Sequence, residues 1–506
     1  MYNLKPFWFW CQKVLPLVYD DSLSYYEVLC KIVDYMNKVI ENNMEIMQAI
    51  AELGGDTALE TDYVTPEMFG AVGDGLVDDT EALQKAIDSG KNVMLSMNKI
   101  YLIRNTIHLK TVSPEGRNRV SRAIFSRAKT GWNNPNSNIT CSFANPDFPI
   151  FAIDAAEWTF DNVNINCKNQ ATNEEDLTLF KTNRDEVDID FHLINCRISN
   201  VSLIADFTGR GFQMSNCETS HAARIIEIKW KDEGGGIYHN AETGQRGIRI
   251  YNNRFHACTK ANPLIHLISG YAYGLEFTGN IIDRGYSQFL FCEAPVYNWL
   301  IANNNITGMR GNSVPGSNAS LMYFADDVKA LVVANNYISQ PGETDINFTN
   351  MICFAPDTEV VNAVITGNSI DTLFDGSMIL LPKPGDDASA RMRGCVISNN
   401  AIDLIDEMTS QRGIIRGQVV TMERCAIIGN TINRVSTGNA SIPYALYSAG
   451  ALTLNDCKIM GNALPGADVT VGNTGTRTLT RSLIDDDLFS AVSNDQDNTE
   501  AEPMIP

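Results

Sequence analysis

The chain has 506 residues, of which 44% are hydrophobic and 20% are charged, and its formal net charge is −21. The negative charge argues against a nucleic-acid partner, because affinity for a phosphate backbone comes from Lys and Arg. No apolar run approaches the ~20 residues of a membrane span, and the first residues lack an apolar core followed by a cleavage site. We therefore expect neither membrane insertion nor a signal peptide.

Residues 1–21 are rich in aromatic side chains. Phe7, Trp8, Phe9 and Trp10 follow one another between two prolines. A segment this short cannot bury such side chains on its own, and exposed aromatic patches mark interaction surfaces. We predict an anchoring segment that docks on a larger assembly; the alternative is a strap folded against the following helix.

Residues 22–62 have the pattern of a coiled-coil helix followed by a linker. Ser24 and Glu27 form a capping box, and Gly54-Gly55 ends the helical pattern. A single Asn in such a seam fixes register and strand number, which predicts pairing between chains; the alternative is packing on the chain's own strands. The two apolar positions of the heptad are occupied by Tyr26, Val33, Ile40 and Met47 and by Leu29, Met36, Asn43 and Ile50.

Residues 63–157 open with a motif of Gly and Asp followed by a short amphipathic helix. The segment VTPEMFGAVGDGLVDDTEALQKAIDSG spans 64–90. We expect Asp78 and Asp79 to cap a helix over 80–89, with Glu81 completing a capping box. The apolar face of this helix would close the end of a stack of strands. A metal or catalytic site at Asp74, Asp78 and Asp79 is the alternative.

Residues 158–464 contain a repeat. Its copies, 21 to 36 residues apart, start at 158, 191, 212, 248, 275, 299, 331, 363, 395, 425 and 457. In every copy the third residue is apolar, and an Asn or Gly, suited to a sharp bend, precedes a marker position that is Asn in the last eight copies. A period in this range indicates stacked units. The pattern predicts a mainly β fold, a right-handed single-stranded parallel β-helix with three strands per coil and an Asn ladder. A leucine-rich horseshoe is disfavoured, because its L-x-x-L-x-L core is absent.

The cysteine pattern predicts buried thiols. Among the twelve cysteines, Cys395, Cys425 and Cys457 share one inward position of the repeat. They are typical of small core residues made in a reducing compartment. Because the CxxC spacing that zinc sites favour is missing, we expect neither a metal nor another cofactor.

The 63–103 segment closely resembles the opening module of pectate-lyase-superfamily β-helices, found in bacteriophage tailspikes and appendages and in some bacterial pectinases. With the N-terminal anchor and heptads, the resemblance implies the phage branch: a homotrimer attached to the virion through residues 1–21, which binds, and in many members depolymerises, a host surface polysaccharide as a glycoside hydrolase or polysaccharide lyase. A non-enzymatic receptor-binding or structural appendage is the main alternative, and a free pectin-degrading enzyme is a weaker one. Residues 465–506 are polar and acidic, typical of a partly disordered tail.

Two groups of outward acids are candidate catalytic residues. Three successive coils contain FCEAP, FADD and FAPD, which predicts a stack of Glu293, Asp326 or Asp327, and Asp357 within ~5–9.5 Å, as glycoside hydrolysis requires. The second group is Asp283, Asp371 and Asp403, each directly after a copy of the repeat. Solvated surface acids are the alternative for both groups. The candidate glycan-binding aromatics are Tyr271, Tyr273, Tyr286, Tyr297 and Tyr323.

Overall fold

The computed structural model describes the second of two compact units, Tyr63–Pro506. The described residues are 62–110, 121–126, 139–142, 148–154, 157–167, 177–182, 190–208, 211–229, 245–258, 263–268, 272–285, 288–309, 320–339, 350–374, 377–381, 389–405, 412–434, 443–464 and 471–484. The predicted anchor at 1–21 and the predicted coiled coil lie outside them. None of the helices in the described part is long and apolar enough to cross a membrane.

The first elements form the cap and the first coils. They are β1 (Tyr63–Val64), a 3-10 turn (Pro66–Phe69), β2 (Asp74–Asp78), α1 (Thr80–Asp88), β3 (Asn92–Leu95), β4 (Ile100–Ile103), β5 (Ile107–Leu109), β6 (Ser121–Ser126), β7 (Ile139–Cys141), β8 (Phe151–Ile153), β9 (Glu157–Asp161), β10 (Asn164–Cys167), β11 (Thr178–Thr182), β12 (Asp190–Ile194), β13 (Arg197–Phe207), β14 (Gly211–Ser215) and β15 (Glu218–Ile228).

The remaining strands continue the same stack. They are β16 (Gln245–Tyr251), β17 (Arg254–Cys258), β18 (Ile265–Leu267), β19 (Ala272–Thr278), β20 (Ile281–Gly285), β21 (Leu290–Cys292), β22 (Val296–Tyr297), β23 (Leu300–Ala302), β24 (Asn305–Thr307), β25 (Ser320–Phe324), β26 (Val328–Lys329), β27 (Val332–Ala334), β28 (Tyr337–Ser339), β29 (Asn350–Phe354), β30 (Glu359–Val361), β31 (Val364–Thr366), β32 (Ser369–Phe374), β33 (Ile379–Leu380), β34 (Ser389–Arg393), β35 (Val396–Ser398), β36 (Ala401–Ile405), β37 (Arg412–Gly417), β38 (Val419–Glu423), β39 (Ala426–Ile428), β40 (Thr431–Arg434), β41 (Pro443–Ser448), β42 (Leu452–Asn455), β43 (Lys458–Met460), β44 (Val471–Asn473), β45 (Arg477–Thr480) and β46 (Leu483–Ile484).

The strands form two parallel sheets of 22 and 24 strands, in which each strand pairs with its equivalents on neighbouring coils. This confirms the predicted parallel β-helix. A regular coil such as β26 to β29 has four strands rather than the predicted three. The fourth strand arises because a residue with a left-handed backbone conformation divides the first strand of the coil in two. This residue is Ala330 in the coil that begins with β26 and Asn362 in the next coil.

The core consists of inward columns whose members lie in register. Ile301 pairs with Val333, Val333 with Ile365 and Ile365 with Ile397, and all of them are buried. Burial of a side chain of this size contributes about 1.5–3 kcal/mol each. The inward assignment made from the repeat is therefore correct.

The Asn ladder runs through all eight predicted positions. Asn336 accepts hydrogen bonds at its Oδ1 from the Nδ2 and backbone N–H of Asn304, at 2.9 and 3.0 Å. Its own Nδ2 donates to Asn368 Oδ1 at 2.9 Å and to the Ile301 carbonyl at 2.9 Å. The same side-chain bond links Asn253 to Asn280, Asn280 to Asn304, Asn368 to Asn400, Asn400 to Asn430 and Asn430 to Asn462.

Thiols continue the ladder toward the N-terminal end. The Cys217 backbone N–H donates to Asn253 Oδ1 at 2.8 Å, and the Cys196 N–H donates to Cys217 Sγ at 3.3 Å. Nine cysteines among the described residues are buried thiols that form no disulfide, as predicted for core thiols.

The cap helix buries Ala82, Leu83, Ala86 and Ile87, as predicted, but the roles of its acids differ from the prediction. The Asp79 carboxylate turns back to accept the N–H groups of Val72 and Gly73, at 2.7 and 3.1 Å. Asp78 accepts the Thr80 N–H at 3.0 Å, and Glu81 pairs with Lys85 at 2.7 Å rather than closing a capping box. Asp79 therefore fixes the glycine loop that precedes the helix.

The β-helix extends past residue 464, so the boundary predicted there is too early. β44 pairs with β41, β45 with β42 and β46 with β43, and Val471 and Ile484 are buried. The polar composition of this segment hid the strands, because β45 has Thr478 and Thr480 facing outward and Arg477 in register with the inward Leu452.

Candidate functional site

One outward column of the second sheet has charged side chains on its first coils and mostly apolar side chains on its later coils. Strand register places Lys181 beside Asp206, Asp206 beside Glu227, and Glu227 beside His266. His266 is followed on successive coils by Phe291, Tyr323, Cys353 and Leu380. The column therefore has a charged part and an apolar part that meet between His266 and Phe291.

The charged part is a network of ion pairs that is largely shielded from water. Asp206 and Glu227 are each only 6% exposed. Lys229 Nζ lies 2.7 Å from Glu227 Oε2 and 3.4 Å from Asp206 Oδ1, and Lys181 Nζ lies 3.8 Å from Asp206 Oδ2. Arg224 pairs with Glu227 as well. We call Lys181, Asp206, Arg224, Glu227 and Lys229 the charged cluster.

Glu293 and His266 form a hydrogen-bonded pair at the edge of the charged cluster. His266 Nε2 and Glu293 Oε1 are 2.6 Å apart, and the Glu293 side chain is 45% exposed. Burial lowers the pKa of His266; Glu293 opposes this effect, whereas Arg224 and Lys229 add to it. A neutral imidazole held against an accessible carboxylate can exchange a proton with a bound ligand.

The apolar part begins directly beside this pair. The Phe291 ring packs edge-on against His266, with 5.2 Å between centroids, and stacks on Tyr323 at 5.3 Å. Burial raises the pKa of Tyr323. Since Tyr323 is only 9% exposed, its ring packs against its neighbours and offers little surface on which a sugar could stack.

The other acids of the first predicted group lie around the corner that follows these strands, without forming one stack. Backbone hydrogen bonds show that Ala325 and Ala355 occupy, on the next two coils, the position that Glu293 has on its own coil. The column that starts at Glu293 therefore continues with alanines rather than acids. Asp327 Oδ1 accepts the Glu359 N–H at 3.0 Å, and Asp326 accepts the Asp327 N–H at 2.6 Å. Asp357 is exposed in a left-handed turn. Asp326 and Asp327 thus shape the corner, and Glu293 alone of the four contacts the histidine.

The second predicted group belongs to another outward column. Asp371 and Asp403 are register partners on adjacent coils, half-buried, with the Tyr337 hydroxyl 3.5 Å from Asp371 Oδ2. Asp283 lies farther along the same column and pairs with His256 at 3.1 Å. The structure therefore brings Asp371 and Asp403 together, as predicted, and places Asp283 apart from them.

Two of the predicted tyrosines stack on each other. The Tyr273 and Tyr297 rings are 6.0 Å apart and nearly parallel, and Lys329 Nζ lies 5.3 Å from the centre of the Tyr297 ring. Tyr297 follows Glu293 across the corner. Tyr271 and Tyr286 lie outside the described residues.

Asp206, Glu227 and His266 were not among the site residues predicted from the sequence. Each stands alone in an apolar strand, in LIADF, IIEI and LIHL. An isolated ionisable residue between buried aliphatic neighbours is the signal that was available, because a lone outward charge in such a strand needs a partner. Within the described ranges, no group of three or more His, Cys, Asp or Glu is arranged to hold a metal ion.

No protein-family model matches the chain. Depolymerase 1, capsule K30/K69-specific, of Klebsiella phage K5-2 is 29% identical over 187 residues, which are 33% of this chain and 22% of that protein. The capsule K30/K69-specific depolymerase of Klebsiella phage K64-1 is 55% identical over 47 residues, 9% of this chain and 6% of that protein. The chain thus spans less than a quarter of the length of these curated relatives.

Among solved structures, tailspike protein 3 of bacteriophage CBA120 is 13% identical, with 87% of this chain and 65% of that chain covered and a TM-score of 0.43. The chain is thus similar over part of its length to phage depolymerases, in agreement with the resemblance to phage tailspikes in its sequence, and its own strands form a parallel β-helix.

Proposed function

We propose that this chain is a virion-attached tailspike that binds a surface polysaccharide of a host bacterium and cleaves it at the Glu293–His266 pair. The observation that carries the proposal is the 2.6 Å contact between an accessible carboxylate and a histidine whose pKa burial lowers. The three phage relatives are named as capsule depolymerases, which supports the same function. Attachment through residues 1–21 and a homotrimeric state are parts of this proposal.

The chemistry of the pair suits proton transfer at a glycosidic bond. Glu293 reaches solvent, while His266 holds its carboxylate in one orientation. Lys181 and Lys229 are the more exposed members of the charged cluster and lie on the same side of the β-helix, and the Tyr273–Tyr297 stack stands across the corner. Positioned acids and bases of this kind contribute roughly 10²–10⁴-fold to rate.

The test incubates the full-length protein with capsular polysaccharide from the host and measures new reducing ends and the absorbance of unsaturated sugars. Reducing ends without that absorbance identify hydrolysis, and both together identify elimination. We expect Glu293→Gln and His266→Asn to lower kcat by ~10²-fold or more with binding retained. The matched control is Asp371→Asn, an outward acid of the other column, which should remain active.

Two outcomes would contradict the proposal and favour another function or site. Full activity of Glu293→Gln with loss of activity in Asp371→Asn and Asp403→Asn would move the site to the second column. Binding without cleavage by the wild-type protein would favour the non-enzymatic receptor-binding alternative.

A further inference from the structure

Three outward side chains on consecutive coils are those of a Ser-His-Asp triad. Ser220 of β15 is the register partner of His256 of β17, and His256 is the register partner of Asp283 of β20. The residue that precedes each of them is inward and buried, so the three side chains point outward. We call Ser220, His256 and Asp283 the outward triad. It lies on other strands than the Glu293–His266 pair.

The Asp283 carboxylate orients the imidazole ring of His256. His256 Nδ1 lies 3.1 Å from Asp283 Oδ2. With its proton on Nδ1 and donated to this carboxylate, the neutral ring keeps a lone pair on Nε2, which can then accept a proton. Nε2 stands on the opposite edge of the ring from Nδ1, and Asp283 and Ser220 stand on opposite sides of His256 in the column. The basic nitrogen therefore faces the coil that carries Ser220.

Ser220 is within reach of this nitrogen. Neighbouring coils are ~4.8 Å apart, so a change of rotamer at Ser220 directs its hydroxyl toward Nε2 of His256. The hydroxyl of Ser220 is not held by another hydrogen bond within the described part of the chain. Hydrogen bonds between catalytic groups are often long in ligand-free proteins and shorten when the substrate binds. Ser220 is half-buried, and the side chains of His256 and Asp283 are 31% and 35% exposed, so a ligand can contact all three.

We propose that the outward triad is an esterase site, at which acyl groups such as acetyl are removed from hydroxyl groups of the bound polysaccharide. Ser, His and Asp side chains in this order perform acyl transfer, whereas carboxylate pairs cleave glycosidic bonds. The activity is thus separate from the cleavage assigned to Glu293 and His266. Its natural substrate rests on the proposed binding of a polysaccharide, and its chemistry does not.

The reaction proceeds through an acyl-serine. Ser220 Oγ attacks the carbonyl carbon of the ester and gives its proton to His256 Nε2. The tetrahedral intermediate then breaks the bond between this carbon and the sugar oxygen, which takes the proton from His256 and leaves as a hydroxyl group. Water attacks the acyl-serine in the same way, with His256 accepting its proton and returning it to Ser220 Oγ, and a carboxylic acid is released.

The surroundings of the outward triad are polar and fit a sugar as the acyl carrier. The outward column beside it carries Arg197, Glu218 and Arg254 in register, and Arg197 Nη2 lies 3.0 Å from Glu218 Oε2. Arg254 is exposed and stands on the same face of β17 as His256. Its guanidinium N–H groups can stabilise the negative oxygen of the tetrahedral intermediate. Ile281, 44% exposed, follows it in register and offers an acyl methyl group an apolar contact.

The test measures hydrolysis of p-nitrophenyl acetate by the full-length protein, a reaction that requires no polysaccharide. We expect Ser220→Ala and His256→Gln to lower kcat by ~10³-fold or more. Asp283→Asn should lower kcat by ~10²-fold with KM unchanged, because Asp283 acts through the orientation of His256. The matched control is Ser199→Ala, which removes the hydroxyl of the register partner of Ser220 on the preceding coil and should keep full activity.

Covalent labelling locates the nucleophile independently of the rate. Diisopropyl fluorophosphate phosphorylates serines that a neighbouring base activates, and mass spectrometry of the digested protein finds the labelled residue. We expect the label on Ser220 in the wild type and none in His256→Gln, while circular dichroism confirms that every variant is folded. Equal hydrolysis by the wild type and Ser220→Ala, or no label on Ser220 in the wild type, would overturn the proposal.

A polysaccharide that carries O-acetyl groups tests the acyl carrier. Acetate release and new reducing ends are measured in the same incubation, and the wild type should release acetate where Ser220→Ala does not. Cleavage of the chain without acetate release would overturn the esterase assignment alone. Acetate release without cleavage would contradict only the cleavage proposed at Glu293 and His266.

Discussion

The Asn ladder and the charged cluster are both polar arrangements shielded from water, yet they are built in opposite ways. In the ladder each amide meets an identical amide on the next coil, so one geometry satisfies every donor and acceptor. In the charged cluster Lys229 serves both Asp206 and Glu227, and no contact is repeated. A buried polar group that recurs on every coil finds its hydrogen-bond partner in its own copy on the next coil. A buried charge that occurs once needs particular neighbouring residues to pair with it.

The largest effect is expected from breaking the ladder at its centre. Asn336→Leu keeps the size of the side chain but removes the acceptor of two Asn304 donors and the donor to Ile301 O and Asn368. Buried groups left without partners cost about 1–3 kcal/mol each, so we expect a loss of about 3–5 kcal/mol in the free energy of unfolding by urea. The control Asn433→Leu, at an exposed position of β40, should change it by less than about 0.5 kcal/mol. Similar losses for both would mean that the ladder adds nothing.

Removing one charge from the charged cluster should have a somewhat smaller effect. Glu227→Gln leaves Arg224 and Lys229 without their shared carboxylate, and we expect a loss of about 2–4 kcal/mol in the free energy of unfolding. Glu276→Gln is the matched control, because that side chain is 41% exposed and faces Arg249 at 3.6 Å. Its change should stay below about 1 kcal/mol, and an equal change in both variants would contradict the distinction between shielded and exposed pairs.

The pH dependence of stability should distinguish the Glu293–His266 pair from the ladder. Burial lowers the pKa of His266 below its ordinary 6.5, so the unfolded chain binds the proton more tightly than the folded protein does. The free energy of unfolding should therefore fall as the pH drops below about 6.5. His266→Gln should flatten this slope in thermal melts, whereas His108→Gln, at a side chain that is 49% exposed, should retain it. An unchanged slope in His266→Gln would exclude His266 as its source.

The smallest effect is expected at the N-terminal end of the ladder, where Cys217 stands in place of an Asn. Cys217→Ser keeps an atom that accepts the Cys196 N–H and donates to a carbonyl, and we expect a change within about 1 kcal/mol in the free energy of unfolding. A loss as large as that of Asn336→Leu would show that the thiol positions are as demanding as the ladder.

The same contrast explains what could be predicted from the sequence. The inward columns and the ladder recur every 21 to 36 residues, so Ile397 and Asn336 are assigned by alignment alone. Glu293 was selected for an expected stack of acids, whereas the structure gives it a histidine from the preceding coil. Asp206, Glu227 and His266 belong to coils of unequal length, where the spacing does not reveal which residues become neighbours. Asp371 and Asp403 were paired correctly because they follow the regular repeat.

The 32-residue step between coils also bears on how such a chain changes over generations. Leu300 pairs with Val332 and Val332 pairs with Val364, while Asn304, Asn336 and Asn368 follow at the same interval. An in-frame deletion of the 32 codons for residues 332–363 would place Val364 where Val332 was and let Asn304 bond to Asn368. Recombination between copies of the repeat can therefore shorten or lengthen the β-helix by one coil without creating an unmatched edge inside it.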